Sequence, residues 1–419
     1  MLQTSTTERT ARPTPHIPLG QRRAVRPFIT LASLLLAACA LMAGRVANAQ
    51  TDADAIMARV EAAQSPASDQ LAGLPLAELM KQLRVPGLSV AVVDNFNIHW
   101  AKGYGVADAS TGRQVNASTR FQAASISKPV TALAAMHLVQ NKQLDLDVDV
   151  NQVLTSWRVP VSDHTRQQAV TARALFSHTS GAADRLGFDG YDPSAPLPSI
   201  TQIIEGKSPA NNKKILFSRA PFVAYEYSGG GLMIMQQALL DISGQPFDSF
   251  MERTVLGPLQ MSDSSFRLPK SADAASNAAL GHDRIGVRTT LAWRVYPELA
   301  AAGLWTTPTD LAHFIVEIQS ALRNSGSKIL TQQSAKEMTT LVGVGGYGIG
   351  LAIGQRDDGW HFSHSGNNWG YRAFMIGHTR KGYGYVIMAN GENGMALMNQ
   401  VADRIVHAYK WGAAEVPPK

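Results

Sequence analysis

The chain has 419 residues, 45% of them hydrophobic and 17% charged, which suits a globular protein of two subdomains or one large domain and excludes a disordered polymer. Its formal charge of +6 sits almost wholly at one end. Six arginines against Glu8 in residues 1–49 supply five of the six excess charges, so the near-neutral remainder implies no nucleic-acid partner.

The chain opens with the pattern of an export leader. Arg22, Arg23 and Arg26 precede an uncharged run from Phe28 to Gly44 and then Ala47-Asn48-Ala49, a small-residue cleavage site. This predicts a signal peptide over 1–49 and a mature chain of 50–419, periplasmic or secreted. The run is shorter than the ~20 apolar residues that span a bilayer. Leu36-Ala37-Ala38-Cys39 resembles a lipobox and leaves an alternative, a lipoprotein anchored to a membrane through an acylated Cys39. Cys39 is the single cysteine, so the mature chain has no disulfide, thiolate metal site or cysteine nucleophile.

Residues 51–85 read as partly amphipathic helix. Leu88 to Val93 and Ile98 to Tyr104 then read as strands joined by the turn Asp94-Asn95-Phe96-Asn97, a hairpin. A helix follows over 130–139, with Pro129 in its first turn, where it removes no intrahelical hydrogen bond. From about 141 to 280 helical patterns alternate with Pro/Gly/Ser/Asp loops and strand signals are sparse, which predicts an all-helical lobe. Thr307-Pro308-Thr309-Asp310 opens a helix to about Leu322 with a capping threonine, a proline at the first position and an acid in the first turn. Strand-like runs follow at Tyr347–Ile353, Trp360–Ser365, Tyr371–Ile376 and Tyr383–Met388, then a helix over about 396–409. The sheet lobe is thus expected from about 50–140 and 281–419.

Ser125-Ile126-Ser127-Lys128 stands where that first long helix begins. A serine and a lysine three residues apart share a helix face, so the amine can take the hydroxyl proton. Ser325-Gly326-Ser327-Lys328 repeats the pattern among loop residues and carries no such expectation. Tyr225-Glu226-Tyr227-Ser228-Gly229-Gly230-Gly231 leads into an apolar helix, and its glycines allow a phenol to be presented into a cleft. A phenol beside lysine can relay a proton to a leaving group. His364-Ser365-Gly366-Asn367 ends a strand-like run and offers an edge for an extended substrate.

In this order and spacing, Ser125–Lys128, Tyr227-Ser228-Gly229 and His364-Ser365-Gly366 resemble the three motifs of the penicillin-recognising serine hydrolases. The resemblance is to the class C β-lactamase-like group, which includes D-Ala-D-Ala peptidases, D-aminopeptidases and family VIII carboxylesterases. Pro86–Val92, Gly103–Asp108, Leu175-Phe176-Ser177-His178-Thr179-Ser180-Gly181 and Ala302–Pro308 are similar to stretches of that group, so the likeness covers about 55–410. It implies a mixed α/β (α+β) β-lactamase/transpeptidase-like fold, an antiparallel sheet flanked by helices plus an all-helical lobe, with the active site between.

The resemblance implies that Ser125 attacks a carbonyl, Lys128 accepts its proton, and Tyr227 serves the leaving group and later the water. Backbone N–H groups of Ser125 and Asn367 would form the oxyanion hole, with Ser365, Gly366 and Asn367 binding substrate and His364 standing where many relatives carry lysine. Gly229 replaces the asparagine common in the tyrosine motif. Both departures shift expectation from a dedicated β-lactamase toward an esterase or peptidase.

Gly343-Val344-Gly345-Gly346-Tyr347-Gly348 fits GxGxxG but precedes no helix, so it implies no dinucleotide. His361 and His364 fall on opposite faces of a strand with no carboxylate partner evident in the sequence, so no metal is expected. No GxSxG elbow is present, and His178 reads as a buried structural residue. The expectation is an exported serine hydrolase without metal or cofactor, cleaving a small-molecule substrate: a β-lactam, a short-chain ester or a D-amino-acid peptide. The alternative is a non-hydrolytic penicillin-binding or sensor protein of the same fold.

Overall fold

A computed structural model describes residues 51–412 apart from 66–68, 184–186 and 270–276. The leader readings, Cys39 among them, lie outside the described residues. Contacts divide the chain into Met1–Asp52 and Ala53–Lys419, and the second unit holds the whole sheet and the helices that cover it.

Helix α1 covers residues 51–61 and α2 is Leu76–Gln82. Strands β1 (Gly87–Asp94) and β2 (Asn97–Asp108) form the expected hairpin. Asn95 and Phe96 both have positive φ, the twist that a two-residue turn between right-twisted strands requires. Two short strands follow, β3 (Arg113–Gln114) and β4 (Phe121–Gln122), then α3 (Ser127–Gln140). Helices α4 (Ala172–Phe176), α5 (Ile200–Glu205), α6 (Gly229–Ser243), α7 (Phe247–Met251) and α8 (Leu299–Ala302) come next. Among the described residues that stretch holds isolated bridges but no strand.

The chain then returns to the sheet. After β5 (Trp305–Thr306) and α9 (Pro308–Leu322) come α10 (Gln332–Thr339), β6 (Ala352–Arg356), β7 (Gly359–Asn368), β8 (Tyr371–His378), β9 (Gly384–Ala389) and α11 (Gly394–Tyr409). Thr307 caps α9 by accepting from Asp310 N, with Pro308 at the first position. The strand expected over 347–353 is different in the structure. Residues 347–351 form a glycine-punctuated loop, and β6 begins only at Ala352.

Seven strands make one antiparallel sheet in the order β3-β2-β1-β9-β8-β7-β6. Alternation along β1 sends Ala91 and Val93 to one face with α3, α6 and α9, and Leu88, Val90 and Val92 to the other with α1, α2 and α11. Phe374 and Ile376 of β8 are buried on the α11 face, each contributing about 2–3 kcal/mol by leaving water. β6 pairs with β7 only as far as Ala352↔Ser363. Residues His364–Asn368 of β7 therefore extend past their neighbour, and this free edge positions the site.

Candidate active site

Ser125 lies in a tight helical turn, Ala124–Ile126, immediately before α3. Ala124 has φ +49°, a left-handed conformation that costs a non-glycine residue about 1–2 kcal/mol and persists only when its surroundings impose it. Ser127 supplies part of that hold. Its buried hydroxyl donates to Ala124 O at 2.6 Å and accepts from Leu304 N at 3.0 Å. Sequence reasoning gave Ser127 no role.

Lys128 is 2% exposed, whereas Ser125 is partly open to solvent. Its Nζ donates to Ser125 Oγ at 2.8 Å and to Ala301 O of α8 at 3.0 Å. The serine and lysine are thus within proton-transfer distance.

Tyr227 arrives from the helical region. Ser228 caps α6 by accepting from Gly231 N at 2.9 Å, and Glu226 pairs with Arg219 at 2.9 Å, so the chain just before the helix is held at both ends. The Tyr227 ring centroid stands 5.0 Å from Lys128 Nζ. His178, buried as expected, packs on the same ring at 4.3 Å and so adjoins the site. Its Nδ1 accepts from Ser228 N at 3.1 Å, which puts its proton on Nε2. Burial first, then Lys128 and His364, push its pKa well below 6.5, so the ring is neutral.

Tyr347, read from the sequence only as the start of a strand-like run, also joins the site. It stacks on Tyr225 at 5.6 Å and meets His178 edge-on at 4.9 Å. Gly345 makes room for this pair, because a Cβ there would fall 2.7 Å from the Tyr225 side chain. The GxGxxG stretch is therefore a loop that seats two phenols at the mouth of the site.

The third motif reaches Ser125 through backbone. Gly366 packs against the turn so closely that a Cβ would lie 2.1 Å from Ala123 O. The β7–β8 hairpin closes at Asn368↔Tyr371, and antiparallel alternation then turns the N–H and C=O of Asn367 away from β8, toward the free edge. Ser365 and Asn367 are on the more open face of β7, His364 on the buried one.

His364 is 2% exposed and its Nδ1–H donates to Ser365 O at 2.7 Å. Nε2 is left as a buried lone pair without a protein partner. Burial and the Lys128 charge lower its pKa to about 3. A neutral ring in this tautomer can only accept at Nε2.

His361 also departs from expectation. Asp358 and His378 gather beside it, with the candidate ligand atoms within 4.8 Å of one another. Yet His378 Nδ1 accepts from Arg380 N and Lys381 N while Nε2 donates to Asp358 O, and Tyr383 donates to the Asp358 carboxylate. With both His378 nitrogens engaged, the cluster is a hydrogen-bonded knot that ties the β6–β7 turn to the β8–β9 turn.

The chain belongs to the Beta-lactamase family, whose model matches residues 76–410. Protein flp of Staphylococcus aureus (strain N315) is 25% identical over 320 residues, 73% of this chain and 60% of the relative. The chain thus spans about 60% of the length of the curated relatives it matches. SurE with D-Leu superimposes with TM-score 0.66 at 22% identity, covering 88% of this chain and 78% of that one. D-amino acid amidase from Ochrobactrum anthropi SV3, complexed with L-phenylalanine amide, gives TM-score 0.64 at 18% identity, covering 80% and 97%. These likenesses establish a β-lactamase/transpeptidase-like fold.

Proposed function

We propose that the chain is a serine hydrolase that opens an ester or amide through an acyl-enzyme on Ser125. The observation that carries this is the 2.8 Å contact between Lys128 Nζ and the partly open Ser125 Oγ, beneath the Tyr227 ring. Free-base Lys128 accepts the hydroxyl proton as Oγ bonds to the carbonyl carbon, and the carbonyl electron pair moves to oxygen. The N–H groups of Ser125 and Asn367 receive that charge, a role worth about 3–4 kcal/mol per donor in other serine hydrolases. Collapse breaks the bond to the leaving group, which takes a proton by way of Tyr227. Water, activated through the same phenol and amine, then releases the acyl group.

The neutral, accepting His364 favours substrates with no carboxylate beside the scissile bond. That argues for esters and aminoacyl amides ahead of penicillins, and the Tyr225–Tyr347 pair offers an aromatic wall to such a group. Export rests on the leader sequence, and among the described residues no helix is long and apolar enough to cross a membrane. Purified protein is assayed with p-nitrophenyl butyrate, a D-amino-acid amide, a D-Ala-D-Ala peptide and nitrocefin. Turnover of one of the first two, abolished in Ser125→Ala, is the expected result. A fluorophosphonate adduct on Ser125 without turnover of any substrate would instead identify a sensor.

A further inference from the structure

At the far end of β7 from Ser125 lies a hollow of about 530 Å³ between the C-terminal ends of α9 and α10, the β6–β7 edge and the β8–β9 turn. Its apolar floor includes Leu341, Ile353 and Trp360. Trp360 is 43% exposed and Leu341 40%, so two large apolar side chains stand open to solvent in one hollow. Three cations stand around them, Arg323, Lys336 and Arg380, and no carboxylate lines the hollow.

These cations have no acid partner among the described residues. Arg323 lies over the Phe96 ring at 3.6 Å, and Lys336 reaches Gln332 Oε1 at 3.5 Å. A like-charged trio held around an apolar floor repels itself and gains from an anion placed among its members. The volume falls within the range that encloses a small organic ligand. Trp360 and Asn367 are seven residues apart on one strand, about 23 Å at strand spacing, so the hollow is separate from the Ser125 site.

We propose that this hollow binds a small organic anion with a flat apolar body, the indole of Trp360 stacking on the body and the three cations holding the charge. The test uses full-length protein and 8-anilinonaphthalene-1-sulfonate as the probe. One molecule should bind per chain, with affinity falling as salt is raised. It should bind about ten-fold more weakly to Arg323→Ala/Lys336→Ala/Arg380→Ala, and likewise to Trp360→Ala. All four positions are exposed, so circular dichroism melts and hydrolysis at Ser125 should match wild type and show that the variants are folded. N-phenyl-1-naphthylamine, the same body without the charge, should bind about ten-fold more weakly than the anion. Equal binding of the anion by wild type and the triple variant, or of the neutral and charged probes by wild type, would overturn the proposal. Binding of polyglutamate with none of the sulfonate would also overturn it, in favour of an acidic polypeptide partner.

Discussion

Lys128 Nζ is shared between Ser125 Oγ at 2.8 Å and Ala301 O at 3.0 Å, so a carbonyl from a different part of the chain fixes where the amine stands relative to the serine. Removing the amine should leave the serine in place without its base. Lys128→Ala is expected to lower hydrolysis by about 10³ or more, with fluorophosphonate labelling of Ser125 slowed in parallel. Lys128→Arg should not restore it, because a guanidinium stays protonated and cannot accept. Activity in the arginine variant within about ten-fold of wild type would exclude Lys128 as the base.

His364 sets which substrates are accepted. Its Nε2 lone pair has no protein partner, and the nearby Lys128 amine is already engaged with Ser125. His364→Lys places a charge where a carboxylate could use it. The ratio of kcat/KM for nitrocefin over that for p-nitrophenyl butyrate should rise by about ten-fold, the scale of one charge-assisted hydrogen bond. A ratio that does not move would show that the ring does not discriminate.

Much of this site was legible because it is local. The serine–lysine spacing, the Thr307 cap and the β1–β2 turn each depend on neighbours within four residues. What escaped depends on pairing across the chain. His378 meets His361 only because β7 and β8 pair in the register His361↔His378, and no spacing in the sequence encodes that. His178 joins Tyr227 from 49 positions away, and the only local sign was its place just before Gly181 in a loop of small polar residues. The 347–351 stretch resembles a strand because its apolar residues alternate, while Gly348 and Gly350 serve close packing. A Cβ at Gly348 would meet Met338 O at 2.3 Å.

Gly366 is the point where β7 touches the turn that carries the nucleophile. Gly366→Ala would drive a methyl to 2.1 Å from Ala123 O, two residues before Ser125. Backbone on both sides must then separate, and the N–H groups of Ser125 and Asn367 lose their common focus. We expect kcat to fall by about 10²–10³, the cost of one oxyanion donor, with KM little changed. Folding should survive with a loss of about 1–3 kcal/mol, read from urea unfolding. Wild-type kcat in this variant would show that the two segments do not jointly hold the reacting carbonyl.

Buried histidines, His178, His361 and His364 among them, should make the protein acid-sensitive. Burial lowers His364 to about 3 and His361 to about 4, and pushes His178 down as well, against 6.5 in the unfolded chain. The unfolded state therefore takes up protons first. The stability these rings contribute is complete above 6.5 and drains away as pH falls through the window down to about 3. His364 and His361 each cost ~1.4 kcal/mol per pH unit, so the two together lose roughly 4 kcal/mol by about pH 5. His364→Gln should lower the slope in urea midpoint against pH. An unchanged slope would place the acid sensitivity elsewhere.

Glu298 should act in the opposite direction. It is fully buried just before α8, neither carboxyl oxygen has a hydrogen-bond partner, and burial raises its pKa from 4.5 to about 8. The native state keeps this proton while the unfolded state gives it up, so its contribution is whole below 4.5 and is lost as pH rises to about 8. Glu298→Gln keeps the shape without the titration. The stability gap between variant and wild type should be near zero at about pH 4 and grow to roughly 4 kcal/mol in favour of glutamine at about pH 8. Because α8 also supplies the Ala301 carbonyl that seats Lys128, hydrolysis by the variant should hold further into the alkaline range. A stability gap that is constant with pH would mean that Glu298 is already ionised, with a counter-charge that stabilises it.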